Sequence, residues 1–153
     1  MKTIVAIMLA TISSYSLACS CDRESFEEII SDSKYVFVAT ITATKINGSG
    51  EEFLRGVAVN FKLEKSFKGN PKKLKELYSG FGGGDCGLPF NVGFQYLIFT
   101  NDGTVDICTR SQIYPGIEND DGFSEQISEF LKTGKKIDTE DIFFVDQSES
   151  CNE

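Results

Sequence analysis

The stretch YVFVATITAT at positions 35–44 decides the fold. Tyr35, Phe37, Ala39, Ile41 and Ala43 fall on one side of an extended chain, and Val36, Val38 and three threonines on the other. Aromatic and β-branched residues at a period of two predict a strand. Asn47-Gly48-Ser49-Gly50 ends it. Beyond that break, Val57, Val59, Phe61 and Leu63 alternate with Asn60, Lys62 and Glu64, which predicts a second, amphipathic strand. Phe67-Lys68-Gly69-Asn70-Pro71 reads as a turn and Leu74 to Ser79 as a third strand. Phe94 to Thr100 and Thr104 to Thr109 read as two more, joined across Asn101-Asp102-Gly103, a hairpin signal.

Helix signals flank the strands. Ser25-Phe26-Glu27-Glu28 is a capping box, and Phe26, Ile29 and Ile30 follow it on one helical face. Near the other end Phe123, Ile127, Phe130 and Leu131 share a face, with Asp120 or Asp121 as cap and Gly134 as stop. Five strands between a short N-terminal helix and a C-terminal helix predict a mainly β protein, a small closed or partly closed antiparallel barrel. Patterning alone does not choose among such barrels, of which the OB-like barrel is one.

The first eighteen residues differ in character. Lys2 precedes an apolar run, Ile4 to Ile12, too short to span a bilayer, and Ser16-Leu17-Ala18 sets small residues at the −3 and −1 positions of a signal-peptidase site. The expected organisation is a signal peptide over 1–18, a domain over 19–134 and an acidic tail over 135–153, with Ile142 to Val145 an apolar island able to dock on the body. Leu17-Ala18-Cys19 also looks like a lipoprotein site. Ser16, however, stands where a lipobox carries its large aliphatic residue, so cleavage without a lipid anchor at Cys19 is expected. The mature protein is then exported, extracellular or periplasmic, with no membrane span.

The chain holds 15 basic and 23 acidic residues. Lys2 is the only charged residue of the signal, so the mature form balances 14 against 23, a net charge of −9 that repels nucleic acid and anionic membrane. Histidine is absent. That removes the usual general base, the serine and cysteine triads and most zinc sites. Gly82-Gly83-Gly84 lacks the Gly-Lys-Ser/Thr ending and the following helix of a phosphate loop, and reads as a tight turn around a disulfide. Neither enzymatic activity nor a cofactor of its own is expected.

All five cysteines, Cys19, Cys21, Cys86, Cys108 and Cys151, lie beyond the signal. In an exported domain of this size they are expected to serve as staples. Cys151, in the acidic tail, is the odd one, either free or linking two molecules as a disulfide dimer. Cys19-Ser20-Cys21 opens the mature chain. Alternate residues of an extended segment face opposite ways, so these two cysteines should bond to different partners, with Cys86 and Cys108 available. Each such bridge closes a loop long enough to stabilise folding by about 4 kcal/mol in the chain-entropy model. Termini normally fray. One held this firmly suggests presentation to a partner.

Cys-Ser-Cys at a mature start resembles the Cys-x-Cys that opens the tissue inhibitors of metalloproteinases. The resemblance continues through the helix of Phe26 to Ile30, the strand of Tyr35 to Thr44 and the segment VNFKLEKSFKG at 59–69. It extends over Asp85-Cys86-Gly87 and the hairpin from Phe94 to Cys108, so that it covers residues 19–132. It implies an OB-like (netrin-type) barrel with disulfides Cys19–Cys86 and Cys21–Cys108. It also implies a zinc metalloproteinase as partner, met by an inhibitory ridge of Cys19, Ser20, Cys21, Gly83, Gly84, Asp85 and Cys86. In that family the α-amino nitrogen and carbonyl oxygen of the first cysteine chelate the target's catalytic zinc. Carried over, Cys19 is the backbone ligand and Ser20 points into the specificity pocket. The chain departs from the family in having no cysteine between Cys21 and Cys86, hence no third disulfide, and one helix with an acidic tail in place of a second subdomain. Asp22 stands where an apolar residue is usual, and the ridge loop is glycine where bulkier residues are usual. The alternative is a non-inhibitory netrin-like module that binds an exported protein or a surface glycan.

Overall fold

The computed structural model describes residues 19, 21, 24–47, 55–116 and 122–138. The expected signal peptide, Ser20, the Asp120–Asp121 cap, the Ile142–Val145 island and Cys151 fall outside the described residues.

The architecture is mainly β: a five-stranded antiparallel sheet with a short helix before it and a longer one after it. Helix α1 (Phe26–Asp32) is followed by β1 (Tyr35–Ile46), β2 (Val57–Lys68), β3 (Leu77–Ser79), β4 (Gln95–Thr100), β5 (Gln112–Ile113) and α2 (Phe123–Thr133). The strand order is β3-β2-β1-β4-β5. Its two end strands are not hydrogen-bonded to each other, so the sheet is not closed into a barrel by its ladder.

The alternation in β1 gives a strand as expected, and over Tyr35–Ile41 both of its faces are largely buried, while Thr42–Ile46 are exposed. Val36 and Val38 join Ile29, Ile30, Leu97, Phe99, Phe123 and Ile127 in an outer cluster beneath the helices. Tyr35, Phe37, Ala39 and Ile41 join Val59, Leu77, Tyr96, Ile98 and Val105 in an inner one. Leu77 of β3 and Ile98 of β4 share that inner cluster although two strands separate them in the sheet. The sheet therefore curls around it. Three register shifts between β1 and β2, at Val36/Phe37, Val38/Ala39 and Ile41/Ala43, supply the bend, because a bulge kinks a strand and increases its twist.

Local chemistry sets the helix ends. Ser25 Oγ accepts from the Glu28 N–H at 3.2 Å while the Ser25 N–H donates to Glu28 Oε2 at 2.7 Å, completing the capping box. At the far end Lys68 Nζ donates to the carbonyls of Ile30 and Ser31, at 3.0 and 2.6 Å. Helix α2 stops at Gly134 in the left-handed conformation, as expected, but its N-cap is Gly122 rather than an aspartate.

Two strand expectations are corrected. The third strand is only Leu77–Ser79, because Pro71 starts a 3₁₀ turn over Pro71–Lys73 that delays it. Residues 104–109 are not the return strand of a hairpin. Thr100 Oγ1 accepts from Gly103 N–H at 2.9 Å and donates to the Thr104 carbonyl at 2.8 Å, turning the chain away from β4. It crosses to β3 instead, where Tyr78 N–H donates to Gly103 O and Val105 N–H to Tyr78 O, at 2.9 and 2.8 Å. Asp106 then caps a 3₁₀ turn over Ile107–Thr109, accepting from the N–H groups of Cys108 and Thr109 at 2.9 Å each. Ser111 Oγ takes the place of a strand neighbour, accepting from Phe99 N–H at 2.9 Å and donating to Phe99 O at 3.2 Å. Only then does β5 pair with β4 at Tyr96 and Leu97. Side chains that bond the nearby backbone have displaced the ladder.

Phe37 is fully buried in the inner cluster, its ring 5.5 Å from that of Phe61. Phe37→Ala should destabilise the disulfide-intact domain by about 3–5 kcal/mol in a denaturant titration. A loss under about 1 kcal/mol would mean that the inner cluster is not a close-packed core.

Candidate functional site

The two cysteines of the N-terminal Cys-x-Cys bond to different partners. Cys19 joins Cys86 with Cα atoms 5.6 Å apart, and Cys21 joins Cys108 at 5.2 Å. This is the pairing that the resemblance implied. The two receiving positions are themselves neighbours: Ile107 N–H donates to the Cys86 carbonyl at 2.9 Å, and Gly87 and Asp106 form an isolated antiparallel bridge. The excursion through residues 104–111 is what brings Cys108 there. Both bonds suit an oxidising compartment, and no helix of the described residues is long and apolar enough to cross a membrane. The Cys19 sulfur is committed to Cys86, so the thioether of a lipoprotein and this disulfide exclude one another.

The loop that carries Cys86 is organised around one carboxylate. Gly83–Asp85 form a single 3₁₀ turn, consistent with a tight turn beside a disulfide. The side chain of Asp85 folds back into its own loop and accepts from the N–H groups of Phe81 (2.5 Å), Gly82 (2.8 Å) and Gly87 (3.0 Å). Burial opposes ionisation of this carboxyl, but the backbone donors of Gly87, Phe81 and Gly82 outweigh it and hold its pKa below the usual aspartate value. Asp85, expected as a contact residue of the ridge, is thus engaged internally. Its neighbour Cys86 has φ +58°, left-handed for a non-glycine residue. Such backbone persists only where surrounding bonds impose it, and here Asp85, Ile107 and Cys19 all do.

The glycines of this loop have different duties. A Cβ at Gly80 would lie 2.6 Å from Asp85 Oδ2, and one at Gly87 would collide with the Gly80 backbone. These two keep the loop closed on its carboxylate. A Cβ at Gly84 would meet nothing within 4 Å. What Gly84 offers outward is bare main chain.

Two features of this region were not anticipated. The first is Phe81, 61% exposed beside the loop. Its position between Gly80 and Gly82 takes it off any strand face, but only the folded loop shows that the ring is left uncovered. The second is a cleft of about 330 Å³ next to the Cys21–Cys108 bridge, with Glu24, Asp32, Asp102 and Asp106 among its lining residues. Backbone hydrogen bonding from Thr104, working against burial and helped by Arg55, holds the Asp102 carboxyl below its usual range. Among the described residues no group of three or more His, Cys, Asp or Glu side chains is placed to hold a metal ion. No protein-family model and no curated protein matches the chain.

Asp85→Ala should leave both disulfides intact and release the loop. Amide exchange at Phe81, Gly82 and Gly87 should accelerate about tenfold or more at pH 7. In the wild type the folded-state pKa of Asp85 lies below its unfolded value of about 3.9, so its contribution is complete above that pH and is lost only as pH falls through the lower, folded value. Unchanged exchange in the variant would contradict the loop-organising role.

Proposed function

We propose that the mature protein is an exported inhibitor of zinc metalloproteinases that acts through the amine and carbonyl of Cys19. The observation that carries the reading is the double tether. Cys19 and Cys21 are bonded to Cys86 and Cys108, which lie on two loops joined by the Ile107 N–H to Cys86 carbonyl bond and the Gly87–Asp106 bridge, so both cysteines of the N-terminal pair are anchored to one region. The family resemblance of the Cys-Ser-Cys start, together with an antiparallel sheet that curls around an inner core, supports assigning the fold to the OB-like, netrin-type barrels.

The chemistry follows from the zinc of the partner. A catalytic zinc in a protease has three protein ligands and one position kept for water. Signal-peptide removal at Ala18 gives Cys19 a free α-amino group, a nitrogen donor whose proton is held with a pKa of about 7.7–8.0 and is readily displaced by zinc near neutrality. Amine and carbonyl of one residue chelate together and take the water's place, which leaves the protease without its nucleophile. Ser20 enters the pocket beside the metal. The main chain of Gly83 and Gly84 forms the second part of the ridge, and Asp85 keeps it in shape from within. Because the disulfides order the ligand before contact, little conformational entropy remains to be lost on binding.

Placing one alanine before Cys19 moves the amine one residue away and converts the Cys19 nitrogen to an amide. This extension should weaken inhibition by at least about 100-fold, as expected for loss of a metal ligand worth several kcal/mol. The thermal midpoint should stay at the wild-type value. Equal inhibition by the extended protein would rule out chelation, and the scaffold would then stand as a netrin-like interaction module.

A further inference from the structure

Among the described residues, large apolar side chains are conspicuously exposed at Ile46, Phe81, Val92, Phe94 and Ile113. Four of these sit in or beside sheet strands or in the turn before β4. Phe81 is different, because its ring rests against the main chain at Gly56 without being covered. A Cβ at Gly56 would lie 2.5 Å from Cε2 of the Phe81 ring and 3.1 Å from Cδ2 and Cζ. Gly56 does not have a left-handed φ, so a side chain there would meet no backbone restriction but would displace the ring. The Phe81 N–H is pinned at 2.5 Å by the Asp85 carboxylate. The ring rests against Gly56 and the backbone N–H is bonded, yet 61% of the residue faces solvent.

We infer that Phe81 is the apolar anchor of the interaction face, seated on Gly56 and presented to an apolar pocket on the partner wide enough for a phenyl ring. The inference rests on the inhibitory reading, and the pocket it requires lies beside the zinc cleft of the metalloproteinase. Continuity places it there: Asp85 bonds the N–H groups of both Phe81 and Gly87, and between them Cys86 carries Cys19. Ring and zinc-binding terminus thus belong to one cross-linked unit. An aromatic ring brings a large apolar area to an interface with few rotatable bonds, so little freedom is lost for the area it buries. Residues of this type, desolvated at the centre of an interface, dominate binding energy. Bare glycine on the ridge leaves Phe81 as the loop's main source of apolar contact.

The test is a double-mutant cycle on a metalloproteinase that the wild type inhibits, using correctly processed wild type, Phe81→Ala, Gly56→Ala and the double variant. Phe81→Ala should bind about 30-fold or more weakly, chiefly through faster dissociation, with an unchanged thermal midpoint. Gly56→Ala keeps the ring but fills its seat, and should lose about tenfold. The double variant should be no weaker than Phe81→Ala alone, since Gly56 acts through the ring. Binding by Phe81→Ala within about twofold of wild type overturns the anchor, and if the alanine extension at Cys19 still abolishes inhibition the chelation reading survives it. Losses that simply add in the double variant overturn the seating role of Gly56. Wild-type protein that inhibits no zinc metalloproteinase overturns the inhibitory reading and the anchor together.

Discussion

Two sulfur bridges leave alternate residues of one short segment and land on two loops that are hydrogen-bonded to each other through Ile107 N–H and the Cys86 carbonyl. A single bridge would leave the chain end free to swing about it. Two bridges to different partners, with Cα separations of 5.6 and 5.2 Å, remove that freedom. Much of the rest of the molecule can be understood as what is needed to bring Cys86 and Cys108 together and to keep them there. Cys86 requires a left-handed backbone, which its loop imposes through the inward carboxylate of Asp85 and the Ile107 N–H. Cys108 requires that the chain leave the edge of β4 and return later, which Thr100, Asp106 and Ser111 arrange through side-chain bonds to nearby backbone.

The departure from β4 has a structural cost and a structural return. A regular hairpin from Asn101 to Thr109 would have given β4 a longer partner than the two residues of β5. In place of those ladder bonds the chain gains a parallel bridge to Tyr78 and an antiparallel one at Gly87. The first ties the segment after β4 to the opposite end strand of the sheet. The second positions Cys108. The sheet remains open as a ladder, yet its curl and the segment at 103–105 bring its two halves around a shared inner core.

Much of the fold was legible in the sequence because it rests on periodicity. The alternation of Tyr35 to Ile41 foretold a strand, and both of its faces proved buried; the capping box at Ser25 and the stop at Gly134 lie where expected. The failures share a physical cause. Thr104 to Thr109 has the composition of a strand, and only tertiary competition by Thr100, Asp106 and a distant β3 diverts it. Leu74 likewise reads as strand until the 3₁₀ turn begun by Pro71 is taken into account. At the site, spacing identified Cys19 and Cys21 as separate staples, and the family resemblance supplied their partners. It did not show that Asp85 faces inward, because a carboxylate's direction depends on three backbone N–H groups that no linear pattern displays. Phe81 was passed over because exposure of an aromatic is a property of the folded loop.

The proposed mechanism puts the Cys19 terminus on the zinc of a bound metalloproteinase. A crystal structure of the correctly processed protein, beginning at Cys19, in complex with such an enzyme tests it most directly. The expected result is the Cys19 α-amino nitrogen at about 2.0–2.1 Å from the zinc, with the carbonyl oxygen of the same residue beside it and the catalytic water gone. A complex in which the zinc keeps its water and the Cys19 terminus lies elsewhere would contradict the proposed mechanism, whatever the affinity.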